Sequence, residues 1–202
     1  MTEASDGLVL GTYDVGSNPA GVAFDGANVW VTNVVGNNVT KLRASDGFVV
    51  DTYSVGSGPN AVAFDGANIW VANILSNNVT KLRASDGFVL GTYSVCTNPY
   101  GVTFDGANIW VTNSGSNNVI KLRASDGFVL GTYNVGTIPR GVAFDGANIW
   151  VTNQGSNNVT KLRASDGLVL GTYSVDSNPI AVAFDGANMW VTSFSGTTVR
   201  KL

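Results

Sequence analysis

The side chains in this sequence with the most chemical potential are aspartates, and they recur at a fixed interval. Asp25, Asp65, Asp105, Asp145 and Asp185 stand forty residues apart, each followed by Gly-Ala-Asn, and a second set, Asp6, Asp46, Asp86, Asp126 and Asp166, stands in Ser-Asp-Gly. Five carboxylates brought round one axis would suit a hard cation with oxygen ligands, and two of them at the right separation would suit acid–base hydrolysis. Asp-Gly is also ordinary hairpin chemistry, because the Asp side chain bonds its own backbone two residues on and Gly accepts positive φ. The sequence is read as turns, with a cation ring at Asp25, Asp65, Asp105, Asp145 and Asp185 as the alternative. The chain has no histidine, and Glu3 is its one glutamate. That removes Ser-His-Asp and Cys-His nucleophilic catalysis and any histidine-ligated metal. Cys96 is the single cysteine, so no internal disulfide forms and the thiol reads as inert. These absences lead to the expectation of a protein that is not an enzyme and needs no cofactor.

Composition sets the frame. The 202 residues are 44% hydrophobic and 12% charged, with 25 glycines and a formal net charge of −3, which fits one compact β-rich domain over 1–202. Lysine and arginine are spread through the chain instead of forming a basic block, so nucleic acid is not an expected partner. No apolar run approaches a membrane span, and Met1–Gly7 lacks the basic and apolar regions of a leader, so a soluble chain is expected with its compartment left open.

What must position the aspartates is a forty-residue unit written five times, with Trp30, Trp70, Trp110, Trp150 and Trp190 at the same place in each copy. In the second copy, Val62 and Phe64 alternate with small residues, Asp65-Gly66-Ala67-Asn68 makes a turn, and IWVAN alternates again. VTKLRA then supplies a third strand, SDG a tight turn and FVLGTYSV a fourth, with Pro59 marking the start of the unit. A four-stranded sheet that is apolar on both faces must stack on its neighbours, and radial stacking gives a five-bladed β-propeller with four antiparallel strands per blade. The tryptophans are expected between blades. The chain starts with a fourth-strand sequence, Leu8–Val15, and ends on a third-strand sequence, VRKL. Residues 1–15 are therefore expected to complete the C-terminal blade and close the ring as a monomer.

The pattern NPxGVAFDGANIWVTNxxSNNVTKL, followed through all five copies, resembles the bacterial YVTN and NHL group of β-propeller repeats, with IWVTN where YVTN would stand. The resemblance implies the propeller fold over essentially the whole chain and leaves function open, because such propellers include binding platforms and a few enzymes. Antibiotic-opening lyases of similar repeat use a histidine and magnesium, a mechanism that a chain without histidine does not inherit.

Differences among the copies point to one face. DGAN and ASDG are the same in every copy, whereas Ala20, Asn60, Tyr100, Arg140, Ile180 and Val34, Ile74, Ser114, Gln154, Phe194 form two columns that differ in each. Strand alternation puts both columns at one end of the blades and the invariant turns at the other. The expected function is a non-catalytic scaffold or binding module that takes a protein or small molecule on the variable face, with Tyr100, Arg140 and Phe194 as anchors. The alternatives are an engineered or recently amplified structural protein with no specific ligand, and a carbohydrate-binding propeller using the recurring Asn33, Asn37 and Asn38 positions. A lyase-like enzyme ranks last.

Overall fold

The computed structural model describes residues 7–202. Residues 1–6, which the sequence reading placed in the closing segment and whose Asp6 it took as a turn residue, lie outside the described residues. The described residues are all-β and contain no helix. The first copy supplies β1 (Pro19–Phe24), β2 (Asn28–Asn33), β3 (Asn38–Arg43) and β4 (Val49–Ser54); the second supplies β5 (Pro59–Phe64), β6 (Asn68–Asn73), β7 (Asn78–Arg83) and β8 (Val89–Ser94). There follow β9 (Pro99–Phe104), β10 (Asn108–Asn113), β11 (Asn118–Arg123) and β12 (Val129–Asn134), then β13 (Pro139–Phe144), β14 (Asn148–Asn153), β15 (Asn158–Arg163) and β16 (Val169–Ser174). The last copy holds β17 (Pro179–Phe184), β18 (Met189–Ser193) and β19 (Val199–Lys201). Each copy is one antiparallel meander in chain order, four-stranded in blades 1 to 4 and three-stranded in blade 5.

One face of each blade packs on the opposite face of the next. Trp30 and Val39 of blade 1 bury against Ile69, Val71 and Leu82 of blade 2, and the equivalent residues repeat this at the three following junctions. Where first strands meet, the residues facing the next blade must be small: a Cβ added to Gly21 would lie 2.5 Å from the Asn60 carbonyl oxygen. The larger Val62 and Phe64 turn the other way, into the cluster around Trp30.

Polar groups lock the same junctions. Lys41 is buried, its ammonium 5.0 Å from the centre of the Trp30 ring and donating to the carbonyls of Ala84 and Ser85 in blade 2 at 2.7 and 3.3 Å. Lys81 and Lys121 do the same one blade further on. Trp30 also stacks on Tyr53 at 5.6 Å, and Trp70, Trp110 and Trp150 have equivalent tyrosines. Thr32 accepts the Gly21 amide and donates to the Asn60 carbonyl across the junction.

Among the described residues no hydrogen-bonded ladder makes the expected closure. Leu8–Val15 belongs to no sheet, and β19 keeps an exposed edge. The segment instead lies on blade 1 as a fourth strand of a preceding blade would. A Cβ on Gly47 would come within 2.1 Å of the Tyr13 ring, just as one on Gly87 would come within 2.0 Å of Tyr53. These glycines also have φ of +72° and +73°, so the tight Ser-Asp-Gly turn and the tyrosine lying on it both demand glycine. The outer faces at the break stay open: Trp190 is 39% exposed while Trp30, Trp70 and Trp110 are fully buried, and Val22 is 68% exposed. Val15 adds a contact with blade 1, its carbonyl accepting the Thr40 hydroxyl at 3.2 Å.

Candidate ligand-binding face

Strand register separates the two ends of each blade. Pro19 pairs with Asn33 and Asn33 with Asn38, whereas Phe24 pairs with Val29 and Asn28 with Arg43. The DGAN and ASDG turns therefore share one end and both variable columns share the other, as the sequence implied.

At the invariant end the aspartates are fully engaged. Asp25 accepts the amides of Ala27 and Asn28, the Asn28 side chain, and Trp30 Nε1 at 2.8 Å. The Trp70, Trp110, Trp150 and Trp190 indoles reach Asp65, Asp105, Asp145 and Asp185 in the same way. Burial works to raise the Asp65 carboxyl, but the bonds from Trp70, Ala67 and Asn68 outweigh it and hold the pKa below its ordinary value. Asp46, Asp86, Asp126 and Asp166 each pair with the arginine three residues earlier, and with the Phe128 amide added the Arg123 contact holds Asp126 down to about 2. Among the described residues no three His, Cys, Asp or Glu side chains come together to hold a metal ion. Asp25, Asp65, Asp105, Asp145 and Asp185 thus each close a turn and hold the indole five residues on.

At the variable end the first column converges. Ala20, Asn60, Tyr100, Arg140 and Ile180 stand around a cavity of about 560 Å³ lined by all five first strands, whose Val22, Val62, Val102, Val142 and Val182 also border it. Arg140 lies over the Tyr100 ring at 4.2 Å, and its Nε donates to Gln154 Oε1 at 2.8 Å. Asn60 Nδ2 donates to the Tyr100 carbonyl at 3.0 Å.

The second column is not brought into the cavity. Val34, Ile74, Ser114, Gln154 and Phe194 follow the second strands, one strand further from the axis, and their amides are tied to the carbonyls of Asn18, Gly58, Asn98, Ile138 and Asn178. Gln154 alone of them bonds a first-column side chain, and Phe194 stays 76% exposed on the rim. The recurring asparagines serve the scaffold. Asn33 is buried and donates to Asn38 and Thr40, and Asn37 Oδ1 accepts the Gly58 amide of the next blade.

Sequence reasoning missed the buried lysines and the Asp–Trp bond. The signal for both was present: Lys41 is the register partner of Trp30, and Asp25 precedes that tryptophan by five residues in a constant frame.

No protein-family model matches the chain, and no curated protein matches it. Solved structures do. Kuenenia stuttgartiensis hydrazine synthase is similar at 24% identity and a TM-score of 0.79 over 92% of this chain and 58% of that one. A functionally unknown protein from Desulfotomaculum acetoxidans is similar at 18% identity and a TM-score of 0.81, over 93% and 66%. Virginiamycin B lyase from Staphylococcus aureus is similar at 22% identity and a TM-score of 0.75, over 88% and 63%. The chain thus spans roughly three-fifths of the length of these proteins. The expectation that the chain is not an enzyme is corrected by them, since a synthase and a lyase are built on this fold and the fold gives no ground for excluding catalysis. No helix among the described residues is long and apolar enough to cross a membrane. At these identities the likeness establishes the fold, which is that of a β-propeller.

Proposed function

We propose that the chain is a ligand-binding β-propeller of the YVTN/NHL kind, with its site at the cavity mouth on the variable face. The observation that carries this reading is the convergence of Ala20, Asn60, Tyr100, Arg140 and Ile180, five different side chains, on one cavity in an otherwise repeated backbone. A repeated scaffold supplies rigidity, and dissimilar residues at its axis supply a site without symmetry. The test is to map binders from a small-molecule screen by amide chemical shifts. Shifts are expected around Tyr100 and Arg140, and alanine at either should weaken binding by ~1–3 kcal/mol. Binders that all map to the DGAN and ASDG turns would overturn the assignment.

The same reading takes 1–202 as one domain working as a closed, monomeric five-bladed ring, with Leu8–Val15 added to the edge of β19. It is supported by the complementarity of the two open ends. Among the described residues Trp190 stacks on no tyrosine and Tyr13 on no tryptophan; Lys201 lies over Trp190 as Lys41 lies over Trp30, and Ala44 and Ser45 are the counterparts in blade 1 of the Ala84 and Ser85 carbonyls that Lys41 reaches in blade 2.

A further inference from the structure

Resting on that binding face, we propose that Arg140 anchors an anion site at the cavity mouth and that the ligand it fits is a carboxylate carried on an apolar or aromatic body. The chain has six arginines, and Arg43, Arg83, Arg123, Arg163 and Arg200 are each paired with an aspartate. Arg140 has no carboxylate partner among the described residues, and no acidic residue lines its cavity. Its two partners are neutral and fix its direction: Gln154 takes the Nε–H at 2.8 Å, and the Tyr100 ring lies 4.2 Å beneath the guanidinium. Held at Nε and stacked on one face, the planar group keeps its terminal N–H donors for a ligand, a fork that matches a carboxylate.

The equivalent residues in the other copies, Ala20, Asn60, Tyr100 and Ile180, carry no charge, so this is the single cation on the rim of the cavity. The overall charge of −3 gives no general attraction for anions; the preference is local. Beside Arg140, the wall offers Val142, Ile180 and Val182, suited to an apolar body. The loop that presents it also breaks the pattern of its copies. Ile138 holds φ of 52°, a left-handed conformation unfavourable to a β-branched residue, where the other copies place Asn or Gly. Its carbonyl accepts the Gln154 backbone amide, the bond that Asn18, Gly58, Asn98 and Asn178 make in their copies, so the strained residue keeps the backbone of the repeat beneath Gln154.

The test is a ¹⁵N-resolved titration of the whole chain with benzoate, with uncharged methyl benzoate and with inorganic phosphate. Benzoate is expected to shift Arg140 Nε–H and the amides around Tyr100, with a Kd at least tenfold below that of methyl benzoate. Arg140→Gln should weaken benzoate at least tenfold, and Arg140→Lys should fall between. Gln154→Ser should weaken it about threefold through lost orientation. Arg140→Gln should leave the melting temperature unchanged, since the copies fold with Asn60, Tyr100 or Ile180 in that place. Equal binding of benzoate and methyl benzoate at the mouth would overturn the anion site and leave the binding face standing. Phosphate binding tighter than benzoate would overturn the apolar-body assignment. Absence of any benzoate shift at the mouth would overturn the proposal, and if the shifts fell on the DGAN turns it would overturn the face as well.

Discussion

Replacing Trp190 by alanine, with Trp110→Ala as the internal reference, decides whether the two ends of the chain meet in solution. Trp110 is fully buried, packs in a tilted pair with Tyr133 at 5.5 Å and carries Lys121 over its ring. Its truncation should cost ~3–5 kcal/mol. Trp190 keeps the same indole bond to its aspartate, so that contribution cancels in the comparison. With blade 5 open, Trp190 is 39% exposed and stacks on no tyrosine among the described residues. Scaling the cost by the surface withdrawn from water, and removing a ring contact of ~0.5–1.5 kcal/mol, leaves about 1–2 kcal/mol. With Leu8–Val15 added to β19, Tyr13 would stack on Trp190 and blade 1 would cover it, and the cost should rise to match Trp110. Closure predicts that higher value in guanidinium unfolding. It also predicts a coupling of ~0.5–1.5 kcal/mol between Tyr13→Ala and Trp190→Ala in a double-mutant cycle. A Trp190→Ala cost of 1–2 kcal/mol with no coupling to Tyr13 would refute closure.

Lys81→Met should destabilise by about 1–3 kcal/mol by leaving the Ala124 and Ser125 carbonyls without their donor, and a loss under ~0.5 kcal/mol in denaturant unfolding would contradict the clamp. Ile138→Asn should stabilise by about 1 kcal/mol, because asparagine tolerates the left-handed φ of 52° that isoleucine holds there, and an unchanged or lower melting temperature would count against strain at this loop. The Asp65 carboxyl is held below its ordinary 3.8, so it contributes stability that is complete above that value and is lost as the pH falls through the lower folded value. Stability measured against pH should decline below about pH 4, and Asp65→Asn should flatten that decline; an identical profile in the variant would remove Asp65 from the acid response.

Much of this architecture was legible because the unit is repeated. A strand misread in one copy is corrected by four others, so the meander, the two ends of each blade and the inward tryptophans followed from spacing alone. Polar contacts between copies were not legible, because a period of forty residues says which positions are equivalent and nothing about which of them touch. Nothing in the repeat says that the Lys41 ammonium meets the Ala84 carbonyl of the next blade at 2.7 Å. The same limit split the two variable columns. Both vary and both lie at one end, yet distance from the axis, which the repeat does not encode, puts Arg140 in the cavity wall and leaves Phe194 on the rim. Gln154 bridges the columns because its side chain is long enough to span one strand spacing, whereas Ser114, its counterpart in blade 3, turns back to the Asn98 carbonyl at 3.0 Å. Side-chain length and polarity at a second-column position thus decide whether it reaches the first column. Of the second column, only a long polar residue such as Gln154 takes part in shaping the site.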